Sequence, residues 1–277
     1  EGIRYRYGFQ ADKEKVHREW LFYVPLKKET RLFIREGDDF NIGTHFKEGK
    51  GLKDKTRVNA LFLSVVAQFN GPISGKILQW FKKFKVITAL TDTSYLHFTI
   101  EKLRDEEFKN EILKLTKIAD LSIENLGLEE TKLKLEDLPD DVKSQLKSSD
   151  EVINVELNAY HNKYDANNKF ISFAKFNFAR EESAGTKKFF SISAPILDTL
   201  KKGHVLVIDE LDAKLHPILI KFLINLFNSK ENNPNNAQLV FVSLNTNLFN
   251  RNIFRRDQIW LTEKNNYGAT DLYSLVE

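Results

Sequence analysis

The chain has 277 residues, 42% of them hydrophobic and 29% charged, with a formal net charge of +3. That balance describes a globular chain with one large core or two modest ones, and a charge so small does not by itself mark a nucleic-acid binder. There is no cysteine, which excludes disulfides and thiolate metal sites, and the longest apolar run, Ala60 to Ala67, is far short of a membrane span; a cytoplasmic protein with no membrane contact is expected.

The first 71 residues read as a largely β region. Ile3, Tyr5, Tyr7 and Phe9 alternate with Arg4, Arg6 and Gly8, the period of a half-buried strand. Trp20 to Leu26 and Arg31 to Arg35 repeat that pattern, so three short antiparallel strands are expected. Tyr5, Tyr7 and Phe22 fit a core better than a platform for a base. Thr56 to Phe69 carries Leu61, Leu63, Val65, Val66 and Phe69 and predicts a largely buried helix, closed by Gln68-Phe-Asn-Gly71.

Residues 72–150 read as a helical, charged insertion. Ile77, Leu78, Trp80 and Phe81 share one face, and Glu101 to Ile118 has Leu103, Phe108, Ile112, Leu113 and Leu115 at helical spacing. Leu138-Pro-Asp-Asp predicts a further short helix. No heptad lasts long enough for a long coiled coil. The basic clusters Lys47 to Arg57 and Lys82-Lys83-Phe-Lys85 fit either a phosphate contact or plain surface.

Residues 151–277 form a second lobe. Val152 to Tyr160 and Phe170 to Phe178 alternate as a hairpin, turning at Asn162 to Asn168. Glu181-Glu-Ser-Ala-Gly-Thr-Lys187 then opens a helix running to Leu200, with Ser183 as N-cap and Gly185 free of a side chain. A helix N-terminus offers N–H groups to an anion, although an ordinary capped helix has the same sequence. His204 to Ile208 is a short, β-branched run ending in Asp209-Glu210, the pattern of a strand buried on both faces. Ligands of such sheets bind beyond the carboxyl ends of the strands. In a nucleotide site the first acid would hold Mg²⁺ and the second would orient or deprotonate water. The competing reading is an acid pair that merely caps the next element. Asp212 follows, and Leu-His-Pro217 enters an amphipathic helix ending near Asn228, with His216 at its entry. Glu231 to Asn236 is an exposed loop, Gln238 to Val242 a strand, and Gln258 to Glu263 and Ala269 to Val276 two more. Arg255-Arg256-Asp257 fits an ion pair better than a subunit contact. The six histidines lack metal-ligand spacing and no G-x-S-x-G elbow exists.

Ser183-x-Gly185-x-Lys187 opening a helix, a strand ending Asp209-Glu210, and Leu-Asp212-x-x-Leu-His-Pro217 together resemble an ABC-type ATPase head. More narrowly the chain is similar to the stand-alone ATPases related to RloA, of the AAA-15/AAA-21 and OLD-like groups, with Gly185-Thr-Lys-Lys-Phe-Phe190 and Pro195-Ile-Leu-Asp-Thr-Leu200 further shared phrases. The resemblance implies an α/β fold: a mixed sheet with an antiparallel β-subdomain and a helical insertion. It implies ATP and Mg²⁺ as cofactors, Asp209 as the metal-binding Walker B acid and Glu210 as the catalytic glutamate. Asp212 would belong to the D-loop, and Ser183, Gly185 and Lys187 to a signature motif facing ATP held by a second copy in a homodimer or larger homo-oligomer. Gln68 would be the glutamine that reads Mg²⁺ and the γ-phosphate. Relatives of this kind serve prokaryotic defence against phage, the ATP state governing a separate nuclease or toxin effector.

Two departures accompany the resemblance. No G-x-x-x-x-G-K-[ST] phosphate loop occurs; Gly71-Pro-Ile-Ser-Gly-Lys76 is its nearest imitation, and an N-terminal segment bearing the loop is expected to be absent from the sequence. Where the family has Thr-His-Asp, whose His contacts the γ-phosphate, this chain has Leu244 and Asn245. Those departures motivate a second reading, a non-hydrolysing scaffold. A third, a RecF- or SMC-like DNA-repair ATPase, lacks the coiled coil and a strong basic face.

Overall fold

The computed structural model describes residues 2–88, 93–119, 121–133 and 152–276. It is a mixed α/β chain that divides into two compact units, Glu1–Phe84 and Lys85–Glu277.

The first unit holds a four-stranded antiparallel meander of β1 (Arg4–Ala11), β2 (Val16–Val24), β3 (Thr30–Glu36) and β4 (Asp39–Ile42). The fourth strand is an addition to the three expected. Gly37-Asp38 is the hairpin turn between β3 and β4, with Gly37 at φ +57°. Leu21, Leu32, Phe33, Phe46 and Phe62 are fully buried beneath the meander, and Tyr5 and Tyr7 pack against them as core residues.

The helix expected from Thr56 starts only at Phe62 and runs to Gln68. Buried Arg35 explains the delay. It donates to the carbonyls of Ala60 at 2.6 Å, Val58 at 3.2 Å and Arg57 at 3.4 Å, fixing that stretch as a loop. Glu19, buried beside it, accepts from the amides of Phe62 at 2.6 Å and Leu63 at 2.9 Å and from the Tyr7 hydroxyl at 3.0 Å. Burial raises the Glu19 carboxyl above its ordinary range despite those donors. The next helix, Pro72–Phe81, has its first amides taken up by Glu48, which accepts from Ile73 at 2.9 Å and Ser74 at 2.8 Å. The stretch that imitates a phosphate loop is thus a helix start already satisfied by a carboxylate.

Strand β5 (Phe84–Thr88) leads into the second unit, whose central sheet has the order β10-β9-β5, with β9 (Val205–Asp209) and β10 (Gln238–Phe241) parallel. Helices Ala184–Lys202 and Pro217–Asn228 cover one face, burying Phe189, Ile192 and Ile196 of the first and Ile220, Leu223 and Ile224 of the second with Leu206 and Ile208. A second sheet, β6-β7-β8, comprises β6 (Asn125–Leu133), β7 (Val152–Tyr164) and β8 (Phe170–Asn177), antiparallel throughout. Strands β11 (Trp260–Lys264) and β12 (Thr270–Ser274) form a separate hairpin.

Two expectations for residues 72–150 are corrected. The charged stretch holds strands β5 and β6 as well as helices. The single helix over Glu101 to Ile118 is two, Thr93–Lys102 and Glu106–Ile118, because Asp105 caps the second by accepting from Glu107 at 2.9 Å and Phe108 at 3.2 Å. The helix expected at Leu138 lies outside the described residues. Arg255 and Asp257 form the expected pair, both contacts at 3.0 Å.

Candidate functional site

Strand β9 exists because Val205, Leu206 and Ile208 are buried, each worth about 1.5–3 kcal/mol against exposure. It ends at Asp209, exposed at the carboxyl edge of the parallel pair. Glu210 then adopts φ +52° and Lys214 φ +63°, left-handed conformations that cost a non-glycine residue on the order of 1–3 kcal/mol. Two anchors hold the turn between them. Leu211 and Leu215 are buried in the core, and the Leu211 amide donates to the Val242 carbonyl at the end of β10, 3.1 Å away. Inside the turn the Ala213 amide donates to the Glu210 carbonyl at 3.0 Å, and that of Leu215 to Asp212 at 3.4 Å. Burial of the two leucines is large enough to offset the backbone strain. The carboxylates of Asp209, Glu210 and Asp212 engage no partner among the described residues.

The second wall is the N-terminus of helix Ala184–Lys202. Ser183 caps it, accepting from the Thr186 amide at 3.0 Å. A Cβ on Gly185 would stand 3.1 Å from the Lys214 carbonyl oxygen, so the absent side chain lets the helix start lie against the turn that follows the acids. The Lys187 ammonium is elsewhere: it donates to the Ala179 carbonyl at 2.6 Å. Thus Gly185 lies against Lys214, two residues beyond Asp212, while Lys187 is turned back on its own approach segment. Gln68 is the exposed last residue of its helix in the first unit. Leu244 follows β10 and is 84% exposed, and Asn245 caps a short turn by accepting from Asn247 at 3.0 Å. His216 caps the next helix, Nδ1 accepting from Ile218 at 3.3 Å.

Three features that steady this helix escape a reading of the sequence. Pro195 sits inside it and cannot donate to the Ser191 carbonyl; the Thr99 hydroxyl donates there instead, at 2.8 Å. Asp198, buried one turn later, lies between Lys85 of β5 and Lys202, the latter at 2.8 Å. Burial pushes the Asp198 carboxyl up, but the two ammoniums outweigh it and hold it below the usual range. Just before the cap, Glu182 meets His161 of β7 at 2.6 Å. Of these only Pro195, a proline within a helical run, is visible in the sequence; the partners are set by tertiary contact alone. Gly203 ends the helix at φ +62°, where a Cβ would lie 2.4 Å from the Asn235 carbonyl oxygen.

Chemically, the strand end presents hard oxygen donors and a potential proton acceptor beside a helix N-terminus. Among the described residues no group of three or more His, Asp or Glu side chains could cage a metal. One or two carboxylates complemented by water and phosphate oxygens is instead the ligand set Mg²⁺ takes. Two cavities, of about 330 Å³ beside Lys85, Tyr95 and Pro195 and about 510 Å³ beside Lys117, Glu124 and His161, do not border the acids. No helix among the described residues is long and apolar enough to cross a membrane.

A family model for an AAA domain of the AbiEii toxin type, associated with type IV toxin–antitoxin systems, matches residues 1–249. No curated protein matches the chain.

Proposed function

This chain belongs to the AbiEii toxin-type AAA-domain family, and from that premise we propose that it is an ATP-binding and ATP-hydrolysing ABC-type ATPase subunit whose chemistry centres on Asp209 and Glu210. The observation that carries the reading is a pair of carboxylates at the end of a parallel strand that engage no partner among the described residues, the second held in a strained turn. Strain persists where surrounding structure imposes it, and functional sites are where it collects.

In this reading Asp209 holds Mg²⁺ and Glu210 accepts the proton of an attacking water. Bound Mg²⁺ supplies charge neutralisation on the phosphate oxygens. Ser183 and Gly185 present the helix N-terminus to ATP on a second copy, and Asp212 lies in the D-loop beside them. Lys187 reaches the nucleotide only by leaving the Ala179 carbonyl, and Gln68 enters the proposal through the resemblance alone. The proposed division is 1–71, 72–150 and 151–277. A phosphate loop is the part this sequence does not supply. Among the described residues strand β10 is an edge of its sheet, with Val240 about half exposed and no guarding Lys or Pro, and a strand bearing such a loop would add there. The biological role we propose is a homo-oligomeric, cytoplasmic defence ATPase whose nucleotide state restrains or releases a nuclease or toxin effector.

The second reading, a scaffold that binds without hydrolysing, rests on exposed Leu244 where the family places an imidazole. Titration calorimetry of the full-length protein tests the site. ATP is expected to bind in the presence of Mg²⁺, and Asp209→Asn to abolish the Mg²⁺ dependence. Binding that is equally strong with EDTA, or unaffected by Asp209→Asn, would remove the acid pair from the site.

A further inference from the structure

The far end of the β7–β8 hairpin, away from the acids in sequence, exposes a cluster of rings. Tyr164, Phe170 and Phe173 are each between 50% and 58% exposed, yet they lie close together, Tyr164 to Phe170 at 6.3 Å and Phe170 to Phe173 at 5.3 Å between centroids. Ile171 beside them is 55% exposed. A group of large apolar side chains left in water at one place marks a contact surface rather than scattered surface apolarity. Lys163 and Lys169 are the sequence neighbours of Tyr164 and Phe170, both exposed and neither in an ion pair among the described residues. The one acid of the turn, Asp165, is occupied by its own backbone: it accepts from the amides of Asn167 at 2.8 Å and Lys169 at 2.9 Å. This end of the hairpin therefore combines exposed cations with half-exposed aromatic rings.

We propose that this hairpin end is a stacking platform for single-stranded nucleic acid, independent of the reading given to Asp209 and Glu210. Bases stack on the rings, since every base has a π-face, and the two ammoniums meet the phosphates. The rings and ammoniums do not read the sugar, so DNA and RNA single strands are both accepted. Two features disfavour a strand or second copy pairing along β8. The ladder slips between Lys163 and Tyr164, leaving Ile171 as a bulge, and Lys169 and Lys175 stand on or beside this edge strand; bulges and lysines are what block edge pairing. A base laid on a ring needs no free backbone ladder.

The test is fluorescence anisotropy of the full-length protein with labelled oligothymidylate and oligouridylate of about 12 nucleotides, at low and raised salt. Both strands are expected to bind, and removing one ring by Phe170→Ala or Phe173→Ala to weaken binding about tenfold. Tyr164→Phe keeps its ring and should bind as the parent does. Lys163→Glu with Lys169→Glu should weaken binding and flatten its salt dependence. Circular dichroism of each variant confirms folding, and exposed positions make that outcome expected. Three results would overturn the proposal: no binding at low salt, binding that both Phe→Ala changes leave intact, or full displacement by polyglutamate, which would point to an acidic peptide. Loss of a self-associated species in sedimentation on removal of the rings, with no strand bound, would assign the patch to a second copy instead.

Discussion

A single hydroxyl decides whether helix Ala184–Lys202 can tolerate its proline. Pro195 leaves the Ser191 carbonyl without its helical donor inside a buried segment, and Thr99 supplies one. Thr99→Val keeps the shape and removes the donor, so it should cost about 1–3 kcal/mol, read as a lower denaturant midpoint at unchanged slope. An unchanged midpoint would mean the carbonyl finds another donor. Asp198 gives the same helix a pH dependence. Its carboxyl is held below the ordinary value near 3.9, so the stability it contributes is present above that pH and disappears as pH falls through the lowered value. The parent should therefore lose stability on acidification below about pH 4 more steeply than Asp198→Asn, and equal slopes would count against the Lys85–Asp198–Lys202 cluster. At this scale the sequence displays the acids but not their settings. Asp209-Glu210 is visible because a β-branched run ends there. The left-handed turn at Glu210 and the retreat of Lys187 to Ala179 depend on partners far along the chain.

Elements are legible where one face is buried and the other wet. β1, β2, β3, β9 and the helix Pro217–Asn228 follow their periodicities to within a few residues. Strands β5 and β6 are obscured because few of their residues are buried: Ile87 in β5 and Leu126 in β6 are the ones that reach the core fully. Their Lys- and Glu-rich remainder reads as a solvated helix, and only pairing with β9 and β7 makes strands of them. The start of the helix at Phe62 is hidden for another reason. Residues 57–60 have ordinary helical composition, but buried Arg35 claims their carbonyls and Glu19 caps the amides beyond. A buried arginine that organises a loop leaves no periodic trace. The hairpin end of β7 and β8 shows the converse. Its alternation is plain, whereas the crowding of Tyr164, Phe170 and Phe173 in water emerges only once the register is set, and it is there that nucleic-acid binding is predicted.

For the molecule as a whole, membership in the AAA-domain family and an acid-tipped strand in a parallel pair point to one kind of chemistry. A pair of acids serving only to end a strand would bind neighbouring amides, as Asp105 and Glu48 do elsewhere in the chain, whereas Asp209 and Glu210 engage no partner among the described residues. The measurement that bears most directly on this is steady-state ATP hydrolysis by the full-length protein beside Glu210→Gln, with ATP binding followed in parallel. The parent is expected to hydrolyse ATP, and Glu210→Gln to bind it normally while turning over at least about 100-fold more slowly, the scale of a lost general base. Equal rates in the two proteins, or an inability of either to bind ATP, would contradict the account.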